Sequence, residues 1–353
     1  MTSDSKLLRV AVIGGGPGGL GAAIALSSAP DIKVSLFEQA QELREIGAGI
    51  QIGYNCWRVL ELLGAADSVK GHLNTQVFHR NGLNGQLLKA TYPPSSIPTR
   101  YHPRRVRRTR LQSALVSKVP EGVIQLKKRL VSLQDIPGGG VKLLFEDQTE
   151  AEADLVVGGD GIRSVSHSNE GNQMFEIAAR RVVNPETDPE KRFSWGIPAT
   201  KERVESHFEN YDPRVRETLS LVPEGQWREF NAFAGPRLDK LIAWDKIVLV
   251  GDASHPLSGA FGSGAAFALE DGWVLTRAIE HARGKSKPLS YEHLSNQKAS
   301  VERAKFESPS QSFEESLNVR VSAFGEGKEM AWIYENDIEK VWKDWVKRTA
   351  ESS

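Results

Sequence analysis

Apolar and polar positions along this chain switch between two periods, and the switches mark its elements. Leu8 to Ile13, LRVAVI, is a short apolar run rich in β-branched residues, as a strand buried on both faces of a parallel sheet requires. It breaks into glycines and gives way at once to a helix-period segment carrying Leu20, Ile24 and Leu26. A second apolar strand, Val34 to Phe37, ends on Glu38, and the Gly-punctuated stretch 43–55 leads into a helix near Trp57 to Leu63. Thr75 to Tyr92 alternates with turn signals at Asn81-Gly82 and Asn84-Gly85, which predicts a β-ribbon. After Pro93, Pro94 and Pro98, the basic stretch YHPRRVRRTRLQSALVSKV becomes a helix near Thr109. Residues 123–157 read as a meander that closes on the apolar strand ADLVVGG and ends in Asp160-Gly161. Residues 165–190 are polar and patternless, a loop on this reading. Helical patterns occupy roughly 200–221. A strand, KIVLVGD, then ends at Asp252, followed by a Gly-rich turn, a helix from Ala265 to Ala282 and a mostly helical C-terminal part.

Composition adds mainly exclusions. The 353 residues are enough for two packed lobes or one large discontinuous domain. Lys plus Arg and Asp plus Glu both number 45, so no charge bias points to nucleic acid or a membrane surface. The single cysteine, Cys56, rules out an intramolecular disulfide framework and a Cys-rich metal site, and its amphipathic flanks predict a buried or half-buried thiol. No signal-like segment precedes the first strand, and no apolar run approaches the ~20 residues of a membrane helix. A soluble, cytoplasmic protein is the expectation.

The chemistry begins where the first strand breaks. Gly14, Gly16 and Gly19 stand at GxGxxG spacing between a strand and a helix. Gly14 permits the tight turn, Gly16 lets backbone amides approach a pyrophosphate, and Gly19 lets helix and strand pack closely. The helix N-terminus supplies partial positive charge for the phosphate. Glu38, ending the second strand, can accept both ribose hydroxyls and would repel a 2′-phosphate. DLVVGGDGIRS repeats the pattern of a buried strand delivering an acid, Asp160, to its carboxyl end. KIVLVGDASHP does the same with Asp252, and the following GSGAAFALED places Gly262 and Gly264 at another helix N-terminus.

On these segments, together with GAGIQI, the chain resembles the class A FAD-dependent aromatic monooxygenases of the para-hydroxybenzoate and salicylate hydroxylase type, over roughly 1–165 and 193–310. The resemblance implies an α/β fold. A discontinuous, Rossmann-like FAD-binding domain would occupy 1–75, 100–165 and 240–285. A shortened β-rich substrate lobe would take 76–99 and 166–239, and a helical C-terminal region 286–353. It also implies roles: Glu38 for the adenosine ribose, Gly49 along the FAD cleft, Arg108 for the pyrophosphate and Asp160 for both FAD and NAD(P)H. Asp252 would hold the ribityl chain, and the amides near Gly264 and Ala265 would face the isoalloxazine pyrimidine edge. The implied activity is hydroxylation of a small aromatic or polyketide-like phenolic compound with NAD(P)H and O2; no triad is required, because the cofactor carries the oxygenation.

The chain also departs from that pattern. Only 91 positions separate Asp160 from Asp252, fewer than the family typically has, and His167, Gly259, Ser263 and Arg110 replace residues usual in its motifs. Two other readings therefore stand beside the first: a flavin-binding protein that no longer hydroxylates, and a truncated form of a longer enzyme. An open site would waste reduced oxygen as hydrogen peroxide. The run HPRRVRRTR lacks interleaved aromatics, so one cofactor-pairing arginine among solvated neighbours accounts for it better than nucleic acid. His255 is assigned a packing or loop role. Trp332, Trp342 and Trp345 are assigned to a packed or subunit-contact face, and Glu270 and Asp271 to capping or pairing without chemistry.

Overall fold

The structure, a computed structural model, describes residues 7–43, 49–160, 177–179, 195–230, 240–255, 263–285 and 332–351. The chain opens with β1 (Leu8–Ile13), α1 (Pro17–Ser27), β2 (Ile32–Phe37), β3 (Gly49–Ile52) and α2 (Tyr54–Leu62). There follow β4 (His72–Leu73), β5 (Val77–Arg80), β6 (Leu87–Thr91), β7 (Arg104–Arg107) and α3 (Arg108–Val116). Next come β8 (Ile124–Gln125), β9 (Leu130–Asp135), β10 (Val141–Phe145), β11 (Glu150–Ala153) and β12 (Leu155–Gly158). The later elements are β13 (Trp195–Pro198), α4 (Lys201–Ser206), α5 (Pro213–Ser220), β14 (Arg228–Phe230), β15 (Ile242–Ala243) and β16 (Ile247–Leu249). Helices α6 (Gly264–Lys285), α7 (Trp332–Glu335) and α8 (Ile338–Glu351) follow among the described residues.

The α/β fold expected from the sequence is present. The main sheet has the order β15-β16-β12-β1-β2-β8 and is parallel except for the edge strand β15. Its central strand shows why LRVAVI is apolar without alternation: Val10 and Val12 face α1 and α6, whereas Ala11 and Ile13 face a second sheet. That second sheet, β11-β10-β9, contributes Val141, Leu143 and Phe145 to the second core, with the Phe145 and Phe37 rings 4.7 Å apart. The layers are thus helix, parallel sheet, antiparallel sheet. Leu20 of α1 and Leu269 of α6 are fully buried between the layers, each worth about 2 kcal/mol of apolar burial.

One expectation needs correcting. The single meander read over 123–157 divides between two sheets: only β9 to β11 form it, while β8 lies parallel beside β2 and β12 lies between β1 and β16. The β-ribbon is observed as the antiparallel pair β5 and β6, and the helical stretch near 200–221 as α4 and α5. The loop read at 165–190 lies almost wholly outside the described residues. In the C-terminal part, Arg58 of α2 bonds Asp337 at 3.1 Å and Glu339 at 3.3 Å, tying α8 to the first unit. Trp342 and Trp345 stack at 5.1 Å and meet the His281 ring of α6, a packed face within the chain; the Trp332 side chain lies outside the described residues.

Candidate functional site

Four parallel strands deliver their carboxyl ends to one edge, where an open α/β sheet binds its ligands. β1 leads into Gly14, β2 into Glu38, β12 into Gly159-Asp160 and β16, by way of Val250, into Gly251-Asp252. Gly14 adopts φ +99°, and a Cβ on it would lie 2.6 Å from the Gly159 carbonyl oxygen, so only glycine lets the two strand ends pass. A Cβ on Gly19 would stand 1.9 Å from the Gly14 carbonyl oxygen, the close helix–strand packing expected of the third glycine. Around Gly16 there is open space among the described residues: a Cβ there meets none of them within 4 Å. Gly16 caps α1 with extended backbone and no side-chain cap, and Pro17 follows, so no side chain covers the first-turn amides.

Glu38 sits on the rim of that opening. One carboxylate oxygen accepts from the Gly15 amide at 2.6 Å and the other from the Ala40 amide at 2.8 Å, which fixes the acid beside the glycine turn. Asp160 is exposed just past the Gly159 amide, which donates to the Ile13 carbonyl at 2.8 Å. On the other flank, Asp252 lies in a helical turn, Gly251–Ala253, with Oδ1 3.7 Å from where a Cβ on Gly264 would be. Gly264 and the half-buried Ala265 open α6, whose first turn carries no acid. Gly262 lies outside the described residues. Gly49 and Arg108 come from a separate sheet: β3 runs antiparallel to β7 with Gly49 opposite Arg107, and Arg108 is the exposed first residue of α3. The structure therefore gathers Gly14, Gly16, Gly19, Glu38, Asp160, Asp252, Gly264 and Ala265 at one edge and pairs Gly49 with the base of Arg108's helix.

Beneath Asp252 is a buried pair, His255 and Asp271, which the sequence reading assigned to packing and to capping or pairing. Asp271 Oδ2 accepts from the Gly251 amide at 2.8 Å and is 2.5 Å from His255 Nε2, with side-chain exposures of 1% and 0%. One carboxylate thus clamps both ends of the turn that presents Asp252. Burial works against the imidazolium, but the charge and hydrogen bond of Asp271 raise the His255 pKa above its ordinary value. His255 is buried against Asp271, a position compatible with the packing role expected of it. A signal for Asp271 did exist: it shares a helix face with the buried Phe267, Val274 and Leu275, and a lone acid on such a face needs a partner. Cys56 is buried as expected, and desolvation pushes its thiol well above the ordinary range.

Strand-ended acids, two helix N-termini and a fingerprint glycine turn at one sheet edge are the arrangement of a dinucleotide-binding α/β protein. No family model matches the chain. It is 27% identical over 326 residues to the 6-hydroxynicotinate 3-monooxygenase of Bordetella bronchiseptica, covering 77% of this chain and 82% of the relative. It is 28% identical over 347 residues to a salicylate hydroxylase of Pseudomonas putida, covering 79% of each. Among solved structures, a salicylate hydroxylase substrate complex superposes with TM-score 0.69 at 20% identity, covering 96% of this chain and 97% of that one. FqzB gives TM-score 0.74 at 18% identity, covering 98% and 95%, so the fold is shared. In sequence the chain is thus similar to aromatic monooxygenases, and in fold to the solved structures of that group.

Proposed function

We propose that this protein is an FAD-dependent monooxygenase that uses NAD(P)H and O2 to hydroxylate a small aromatic or phenolic compound. The observation that carries the reading is the convergence of Gly16, Glu38 and Asp252 on one sheet edge between the N-termini of α1 and α6. The residues present fit FAD. Open space stands at Gly16 where a pyrophosphate would lie, Glu38 is held at the end of β2, and no acid crowds the start of α6. The relatives' names, salicylate hydroxylase and 6-hydroxynicotinate 3-monooxygenase, support an aromatic substrate.

On this reading the α1 amides and Arg108 hold the pyrophosphate, and Glu38 takes the adenosine ribose. Gly49 flanks the cleft, Asp160 stands at the shared FAD and NAD(P)H face, and Asp252 takes the ribityl hydroxyls. The amides of Gly264 and Ala265 donate to the pyrimidine edge, where the α6 dipole favours developing negative charge. FAD, when bound, supplies the transfer of two electrons from the nicotinamide coenzyme to dioxygen, one atom of which enters the ring. The chain's part is orientation, charge and exclusion of water, with 1–75, 100–165 and 240–285 forming the flavin-binding part and 76–99 and 166–239 the substrate lobe.

The test is the visible spectrum of the purified protein before and after FAD and then NAD(P)H, followed by product analysis with a panel of hydroxybenzoates and phenols. The expected result is about one flavin per chain, bleached faster when a phenolic ligand is present, and a hydroxylated product. Coenzyme oxidation that yields only hydrogen peroxide across the panel would overturn the hydroxylase assignment while leaving flavin binding intact.

A further inference from the structure

The arginine run 104–110 does two things, and the proposed flavin site uses only one of its members. At about 100° per residue, Arg108 projects from α3 on the side of the buried Leu111, Gln112 and Leu115. Arg110, Ser113 and Ser117 lie together, about 160° around the helix from Arg108. That outer face borders a cavity of about 600 Å³, lined by Lys70, Arg107 and Arg110 and by the hydroxyls of Ser68, Thr109 and Ser113. No acid lines it. Neither Lys70 nor Arg110 has a carboxylate at ion-pair distance among the described residues. α3 has no acid in its first turn and no side-chain cap, so nothing in its own first turn offsets Arg110. Lys70 and Arg110 both line the cavity, and an anion there relieves the repulsion between them.

We propose that this cavity is a phosphate-monoester site that takes the 2′-phosphate of NADPH, which makes NADPH the preferred coenzyme. The proposal rests on the monooxygenase reading above. Three cations and several hydroxyl donors suit a monoester, which carries a charge of about −1.5 to −2 and three acceptor oxygens, better than the singly charged phosphates of a pyrophosphate. The cavity and the proposed flavin site draw on consecutive residues: Arg107, which lines the cavity, pairs with Gly49 in the sheet and precedes Arg108. The chain has one GxGxxG fingerprint, and its terminal acid, Glu38, repels a 2′-phosphate. The phosphorylated ribose of the coenzyme therefore needs cationic side chains elsewhere, and this cavity supplies them.

The experiment titrates the FAD-loaded protein calorimetrically with 2′,5′-ADP, with 5′-AMP and with inorganic phosphate. It is repeated on Lys70→Glu and Arg110→Glu, and flavin reduction by NADPH and NADH is timed on all three proteins. We expect 2′,5′-ADP to bind at least tenfold more tightly than 5′-AMP or phosphate, and NADPH to be preferred by a similar factor. Both preferences are lost in either variant, while flavin content and reduction by NADH stay unchanged. Equal binding of 2′,5′-ADP and 5′-AMP, or a preference that survives both substitutions, overturns the proposal. So does phosphate binding as tight as that of 2′,5′-ADP without an NADPH preference, which marks a site for free phosphate. A wild-type protein that holds no flavin refutes the monooxygenase reading instead, and calorimetry on that protein still reads the cavity.

Discussion

Replacing Asp271 with asparagine tests the claim that a buried charge pair holds the turn carrying Asp252. The native carboxylate serves two donors, the Gly251 amide at 2.8 Å and His255 Nε2 at 2.5 Å, with both side chains shut off from water. Asparagine keeps one carbonyl oxygen but no charge, so His255 loses the carboxylate that favours its charged form. Breaking a buried pair from one side costs about 3–5 kcal/mol, and His255 limits the loss by shedding its proton. About 3 kcal/mol is therefore expected at neutral pH. The sign of the pH dependence follows from the raised pKa of His255, which burial opposes and Asp271 more than offsets. A raised cationic group stabilises fully below its unfolded value, about 6.5, and the contribution fades as pH rises through the folded value. In Asp271→Asn the burial penalty is opposed only by the charge of Asp252 and a backbone hydrogen bond, so the stabilisation that His255 gains at low pH is reduced and the variant falls further behind the native protein as pH falls. Urea unfolding at pH 5.5 and pH 8 is expected to show the larger loss at the lower pH, with FAD affinity reduced at both. A loss below about 0.5 kcal/mol, or one of equal size at the two pH values, would refute the pairing argument.

Gly16→Ala and Gly19→Ala separate ligand contact from packing. The first adds a methyl to open space on extended backbone, so stability is expected to hold within about 0.5 kcal/mol while flavin affinity falls at least tenfold; the second drives a methyl into the Gly14 carbonyl at 1.9 Å and is expected to cost more than about 3 kcal/mol, both read by urea unfolding and flavin fluorescence. Arg58→Ala removes the cation shared by Glu61, Asp337 and Glu339, and a loss of about 1–3 kcal/mol with earlier proteolysis of α8 is expected. Cys56 is expected to resist a thiol reagent in the native protein and to react at once in urea, since burial both hides the thiol and raises its pKa.

The first unit was legible in the sequence because each of its residue types answers a local demand. β-branched residues suit a strand covered on both faces, glycines suit the turn, and the acid suits the strand end. The same logic found Asp160 and Asp252. The division of 123–157 between two sheets was not legible, because Ile124–Gln125 joins β2 and Leu155–Gly158 joins β1 through long-range pairing that local alternation does not encode. The apolar, non-alternating LVVG was the one hint that this strand belonged to the doubly covered sheet. Gly49 and Arg108 entered only by resemblance, since nothing local says that β3 pairs with β7. Asp271 was visible as an acid on an apolar face, but its partners, Gly251 and His255, meet it only once α6 folds back over the β16 turn.

That folding back also explains the chain's choice of small residues. α1 and α6 both start from the carboxyl edge of the sheet and run side by side in the same direction, with Gly18 against Ala268 and Ala22 against Gly272. A Cβ on Gly272 would come within 2.6 Å of the Ala22 amide nitrogen, so the helices touch backbone to backbone. Parallel helices this close place two ends of about +0.5 charge at one edge, an arrangement that is unfavourable by itself. The acids there offset part of it: Glu38 bonds the Gly15 amide just before α1, and Asp252 lies beside the first residue of α6. Both acids stand at the flanks, so the uncapped first-turn amides of α1 remain open between them. The space left at Gly16 is what an anionic ligand needs, and the small-residue contact between the helices brings the second positive end to the same edge.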